Sequence, residues 1–161
     1  METRKVNSTE SKKNFMECGF SVQTKHFGTI SARPDQIITV TQGILGFPDF
    51  HRYILIEHKH ESPFLWFQCV DNPALAFVII DPRCFMPDYQ IGKLNGCLRE
   101  LEAESMDDLQ IFVVVTIPRG RPQDMTANLL GPLLINTKTR RAKQLVLDNP
   151  RLSHRHRIIK Q

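Results

Sequence analysis

Phe64-Leu65-Trp66-Phe67-Gln68-Cys69-Val70, Asp71-Asn72-Pro73, Ala74-Leu75-Ala76-Phe77-Val78-Ile79-Ile80: in this stretch two apolar runs stand either side of a three-residue break. Aromatic and β-branched side chains suit a pleated, half-buried surface. Asp, Asn and Pro have tight-turn chemistry, the amides by bonding local backbone and Pro by fixing φ. Residues 64–70 and 74–80 therefore read as two strands of a hairpin.

The same texture continues in both directions. Further strands are expected over 21–26, 28–31, 37–41, 53–57, 111–117, 133–136 and 143–147, punctuated by Pro, Asp, Asn and Gly. Arg33-Pro34-Asp35, Asp81-Pro82 and Ile117-Pro118 close strands, because the residue before Pro is pushed to extended geometry and Pro cannot donate to a ladder. Residues 136–140 form a second polar hairpin tip. Leu94, Leu98 and Leu101 recur at helical spacing opposite Arg99, Glu100, Glu102 and Glu104, which predicts a short amphipathic helix over 93–104. Gly96 weakens its start, and residues 48–52 can add one helical turn. About nine short strands with one or two short helices give a mainly β, antiparallel, barrel-like single domain. Helices do not alternate with strands as a βαβ architecture requires.

The 161 residues fit one domain. Residues 1–20 carry few apolar side chains and are expected to be a disordered extension. They have charges but no apolar signal core, and no apolar run approaches the roughly 20 residues of a membrane helix. The expected location is the cytoplasm, with no membrane partner. Cys18, Cys69, Cys84 and Cys97 contain no Cys-x-x-Cys pair, so they read as reduced and mostly buried thiols.

The net charge of +4 is unevenly spread. Residues 26–137 hold eight Lys or Arg and thirteen Asp or Glu, a balance of −5. Residues 138–161 hold eight basic groups and one acidic, a balance of +7. Residues 151–161 are expected to form a basic tail. That tail lacks the stacking aromatics common in nucleic-acid readers, so direct nucleic-acid binding is not expected. A small β-barrel RNA-binding regulator using the tail is the alternative reading.

No nucleophile elbow, phosphate loop, zinc-protease motif or calcium loop occurs. The acidic residues 100–108 read as a solvated helix face and loop. His58 with His60, and His154 with His156, alternate at strand spacing, but neither pair has a third ligand at a familiar interval. No catalytic residue, metal or cofactor is expected. Gly43, Gly46, Phe47 and Phe50 stand out instead. Glycines permit left-handed backbone and bring rings toward the surface, either as a protein-binding loop or as a plug for the barrel end; the sequence leaves both open.

Several segments in order resemble the flagellar assembly factor FliW family. They are Phe27-Gly28, Gly43-Ile44-Leu45-Gly46-Phe47-Pro48-Asp49, Ser62-Pro63-Phe64 leading to Gln68, and Leu75-Ala76-Phe77-Val78-Ile79 ending in Asp81-Pro82. Thr126-Ala127-Asn128-Leu129, Pro132, Ile135-Asn136, Lys143-Gln144 and Arg155-His156 complete the series. Ile44 and Leu45 stand where the family usually has Leu-Pro, and residues 1–23 have no counterpart. The resemblance places a β-barrel domain over residues 21–150. It implies a non-enzymatic, partner-switching adaptor that binds the translational repressor CsrA, relieving repression of flagellin translation, and binds cytoplasmic flagellin in a chaperone role. The acidic body would favour a basic partner such as CsrA, and an apolar groove beside Phe47 and Phe64 would suit flagellin. Expected partner-binding residues are Phe47, Phe64, Gln68, Thr126, Asn128 and Asn136. Asn128 and Asn136 also suit turn-capping, and Gln68 and Thr126 can equally be ladder residues.

Overall fold

The hairpin predicted at residues 64–80 is the middle of a closed barrel. The computed structural model describes residues 19–94 and 96–160; the extension expected over 1–20 lies outside them except for Gly19 and Phe20. Strands β5 (Leu65–Cys69) and β6 (Ala76–Ile80) pair antiparallel, Gln68 facing Ala76. Asn72 Oδ1 accepts from the Ala74 amide at 3.1 Å, fixing the turn by the side-chain mimicry of backbone that Asn affords. Arg52 reaches from the neighbouring strand to the Asp71 carboxylate. That hydrogen-bonded contact holds the Asp71 carboxyl below the usual carboxylate range and raises the Arg52 guanidinium.

Strands β3 (Ile38–Val40), β4 (Arg52–Ile56), β7 (Leu109–Thr116), β9 (Leu133–Asn136) and β10 (Arg141–Gln144) join them. Neighbour order β7-β6-β5-β4-β3-β10-β9 returns to β7 through a β7–β9 pairing, so seven strands close the ring. All pairs within it are antiparallel except β3–β10. Closure removes the open sheet edges that invite aggregation.

Alternation along each strand separates the two faces. Ile38 and Val40, Tyr53, Phe67 and Cys69, Ile79, Phe112, Leu133 and Ile135 fill the interior. The outer face is covered in three places. A hairpin of β1 (Phe20–Thr24) and β2 (Gly28–Ala32) lays Val22 and Ala32 over Ile54. The segment through Tyr89 and the C-terminal residues Leu152 and Ile158 pack over Ile80, Val113, Val115 and Leu129. Helix α1 (Cys97–Glu100) and its flanks set Leu94, Leu98 and Leu101 against Leu109 and Leu134. This double burial explains why β7 is apolar almost throughout. Tyr89 donates to the Leu129 carbonyl at 2.7 Å, and burial pushes its hydroxyl up to about 12.

Three expectations need correction, and two strands are added. The helix over 93–104 shrinks to one turn, because Gly96 takes a left-handed φ of 80° immediately before it. The leucine spacing recorded a buried face rather than a long helix. Residues 48–52 form no helix; they turn and enter β4. The strand set at 143–147 is Arg141–Gln144, whose start is fixed by pairing with Asn136. Two short strands, β8 (Thr126–Ala127) and β11 (His156–Arg157), were not foreseen; they extend the sheet beyond β7. Of the thiols described, Cys69 and Cys97 are buried and Cys84 is exposed. No helix among the described residues is long and apolar enough to cross a membrane.

One interior contact carries a stability prediction. The Tyr53 and Phe67 rings stack at 4.5 Å with 4° between planes, yet the buried Tyr53 hydroxyl finds no hydrogen-bond partner among the described residues. Burial raises its ionisation well above the ordinary phenol range. Tyr53→Phe keeps the stack and removes an unpaired polar atom, so stability is expected to rise by about 1 kcal/mol. Guanidinium unfolding measures this; a loss of similar size would contradict the unpaired assignment.

Candidate functional site

The loop from β3 to β4 rims one end of the barrel. Its backbone closes on itself through Gly43 N–H to Val40 O (3.1 Å) and Phe47 N–H to Ile44 O (2.7 Å). Gly43 and Gly46 both have positive φ, 67° and 88°. A Cβ at Gly43 would lie 2.6 Å from Phe47 O and 2.7 Å from Pro48 Cα, so only glycine fits. The turn drives Ile44 into the core and leaves Leu45 60% and Phe47 38% exposed. Phe47 meets Phe77 edge to face at 5.6 Å, while Phe50 packs against the interior cluster. The ring pair thus caps the mouth of the barrel and still presents surface.

A second loop faces the first. Between β8 and β9 the chain bulges out at residues 128–132 and then rejoins β7. Asn128 N–H bonds Val114 O, and Asn128 Oδ1 accepts from Leu130 N–H at 3.1 Å, holding the bulge. Gln144 on β10 links the loops: its Oε1 accepts from Leu45 N–H at 2.8 Å and its Nε2 donates to Gly131 O at 3.1 Å.

Between these loops opens a groove of about 510 Å³. Apolar Ile44, Leu45, Phe77, Val114 and Pro118 line it together with polar Thr116, Asp124, Thr126, Asn128, Gln144, His154 and Arg155. The two kinds interleave, Val114 and Thr116 being two apart on β7 and Gln144 bonding Leu45. A concave surface with apolar floor and a few directed polar groups is the usual form of a binding site. A smaller cleft of about 190 Å³ lies on the outer face, where Phe64, Trp66, Val78, Ile117 and Met125 meet His58 and Lys59. Trp66 there packs against His26 at 4.8 Å and Phe27 at 5.2 Å.

The six residues singled out from sequence fall into three places. Thr126 and Asn128 line the groove, and Phe47 packs beside it on Phe77. Phe64 lies in the outer cleft. Gln68 and Asn136 are buried, at 0% and 1% exposure, and present no surface. The Asn136 amide nitrogen donates to Leu101 O at 3.0 Å, while Oδ1 accepts from Lys138 N–H at 3.0 Å. It ties α1 to the β9–β10 hairpin tip. Leu45, Phe77, Gln144 and Arg155 were missed as groove residues. All four belong to segments that carry the family resemblance, so that signal was present without its spatial meaning.

The basic C-terminal stretch folds onto the acidic body. Lys138 pairs with Asp108, Arg141 with Glu102, Lys143 with Glu100 and Arg157 with Asp124. Exposed pairs like these contribute little stability, but they neutralise much of the charge separation seen in sequence. The segment from 151 packs Leu152 and Ile158 onto the barrel and adds β11 beside β8.

Comparison with known proteins agrees with this architecture. The family described as FliW protein matches residues 21–158. The flagellar assembly factor FliW of Alkaliphilus metalliredigens is 43% identical over 141 residues, covering 87% of this chain and 86% of the relative. That of Treponema denticola is 42% identical over 139 residues, covering 86% and 92% respectively. A crystal structure of the flagellar assembly factor FliW superposes with a TM-score of 0.81 at 32% identity, covering 88% of this chain and 99% of that one. This chain belongs to the FliW family of flagellar assembly factors.

Proposed function

We propose that this chain acts in the cytoplasm as a non-enzymatic adaptor of flagellar assembly, binding flagellin and the translational repressor CsrA. Occupancy by flagellin leaves CsrA free to repress flagellin translation; export of flagellin releases the adaptor to capture CsrA. Such switching is mass-action linkage between two partners of one protein and needs no bond-making chemistry.

The observation that carries the flagellin half of the reading is the groove at the barrel mouth. Its rim exposes Leu45 and Phe47 on a loop whose shape is enforced by Gly43 and by the Gln144 clamp. Apolar side chains held on a rigid scaffold lose little entropy on docking, which favours protein association. Within the basic tail over 151–161 Arg157 is engaged by Asp124, and the tail carries no stacking aromatic, so the RNA-binding alternative is the weaker reading.

Titration calorimetry with purified flagellin and purified CsrA tests the proposal. Both are expected to bind, and flagellin is expected to reduce CsrA capture. Leu45→Asp places charge at the exposed rim and should weaken flagellin binding by about 2 kcal/mol, roughly thirty-fold, with the melting temperature unchanged. Failure of both proteins to bind the parent chain at micromolar concentration would defeat the reading.

A further inference from the structure

We infer that the barrel-mouth groove takes an extended partner segment in which apolar side chains are followed by carboxylates, rather than a basic protein surface. The inference rests on the adaptor reading above and specifies the chemistry its groove recognises.

Charge is the first argument. Asp124 is the one carboxylate among the described residues that lines the groove. Arg157 hydrogen-bonds it, and Arg121 stands 3.6 Å from it. Arg155 lines the same wall, is exposed, and forms no ion pair among the described residues. Counting Arg121 and Arg157 beside Asp124, three guanidiniums stand with one carboxylate at this end of the groove, a positive region within a body whose residues 26–137 are net acidic. A basic partner meets like charge there; an acidic segment meets an unengaged guanidinium, which suits carboxylates by its planar donor fork.

Hydrogen-bonding capacity is the second. Asn128 Oδ1 is engaged by Leu130, but its Nδ2 donates to no described residue, and neither do the Thr116 and Thr126 hydroxyls. Both Gln144 groups are already engaged. The Thr hydroxyls can donate or accept, but the Asn128 Nδ2 and the Arg155 guanidinium only donate, and both suit backbone carbonyls and carboxylates. In the same groove Leu45 and Phe77 supply the apolar contact. An apolar side chain seated on them, with an acidic residue following along the groove, satisfies both kinds of contact at once.

The test uses the full chain and short labelled peptides carrying Leu-Phe followed by Glu-Glu, or by Lys-Lys, with binding read by fluorescence anisotropy. At low ionic strength the Glu peptide is expected to bind at least about five-fold tighter, a preference that shrinks as salt screens the exposed charges. Arg155→Glu should reverse the order of the two peptides, while Arg155→Lys should keep it. Leu45→Asp should weaken both. Equal binding of the two peptides, a Lys preference in the parent chain, or a preference untouched by Arg155→Glu would overturn the inference. So would a groove blocked by a second copy of the chain, seen as peptide affinity that falls with protein concentration. If whole flagellin binds but the peptides show no charge preference, this inference fails and the adaptor reading stands. If the Glu peptide binds selectively while neither whole partner does, the adaptor reading fails and this one stands.

Discussion

Gln68→Glu is expected to destabilise the fold by about 4 kcal/mol at neutral pH, on the scale of a buried charge left without a partner. The Gln68 amide nitrogen stands 3.0–3.4 Å from the carbonyl oxygens of Cys69, Asn72, Pro73 and Leu75. It supports the β5–β6 turn from within, beneath the β1–β2 hairpin, whose Lys25 N–H also reaches Pro73 O. A carboxylate oxygen there faces several partial negative charges and has no donor to answer it. The pH dependence carries the diagnosis. Burial and the carbonyls must raise the folded-state pKa of the new carboxyl above its unfolded value of about 4.3. The difference from the parent chain is therefore smallest below that unfolded value, where the protonated group can donate one hydrogen bond. It grows as pH rises through the raised folded value. The native carboxylates behave in the opposite sense. Hydrogen bonding to Arg52 lowers Asp71. At Asp81, burial pushes upward but the Arg83 side chain and backbone contacts outweigh it, leaving that group lowered too. Their contribution is present above the unfolded carboxyl pKa and fades as pH falls through the folded values. Denaturant unfolding of both proteins between acid and neutral pH resolves the two trends; parent-like stability at neutral pH would refute the role given to Gln68.

Gly43→Ala is the other severe change, with an expected loss of about 3 kcal/mol. A left-handed φ adds roughly 1–2 kcal/mol of strain for a residue with a Cβ. The remainder comes from crowding, because the new methyl meets Phe47 O, Pro48 Cα and Pro48 O, all backbone atoms that move only with the loop. Relief of that clash displaces Ile44 from the core and Leu45 from its hydrogen bond to Gln144. Gly46→Ala is the control. Its φ is 88°, but its Cβ would meet open space, so only the strain of about 1 kcal/mol remains. Unfolding measurements on the two variants should differ by about 2 kcal/mol, and flagellin binding should fall further in Gly43→Ala. Equal losses would show that backbone crowding is unimportant in this loop.

Phe47 illustrates where local reading stopped. Its surroundings allowed either a surface aromatic or a barrel plug; the structure makes it a ring resting on Phe77 with over a third of its area exposed. The groove was legible as segments, Thr126-Asn128 and Lys143-Gln144 among them, but not as one place. Leu45 stood out only as a departure from the usual Leu-Pro of this loop; its exposure could not be read until the loop's direction was known. Gln68 and Asn136 drew notice as polar residues in strongly patterned segments. Their polarity serves buried carbonyls and turn amides instead of a surface.

What the sequence determined by itself was a set of features fixed within a few residues. The Asp71-Asn72-Pro73 turn, the alternating strands on either side, the need for glycine at a tight rim and the lack of helices between strands all follow from backbone sterics and side-chain period. Tertiary structure alone decided the closure of β9 on β7, the parallel pairing of β3 with β10 and the folding of the basic stretch onto Asp108, Glu102, Glu100 and Asp124. Those contacts join residues far apart in the chain, so their partners are chosen by which faces must leave water together. No short window of sequence contains that choice.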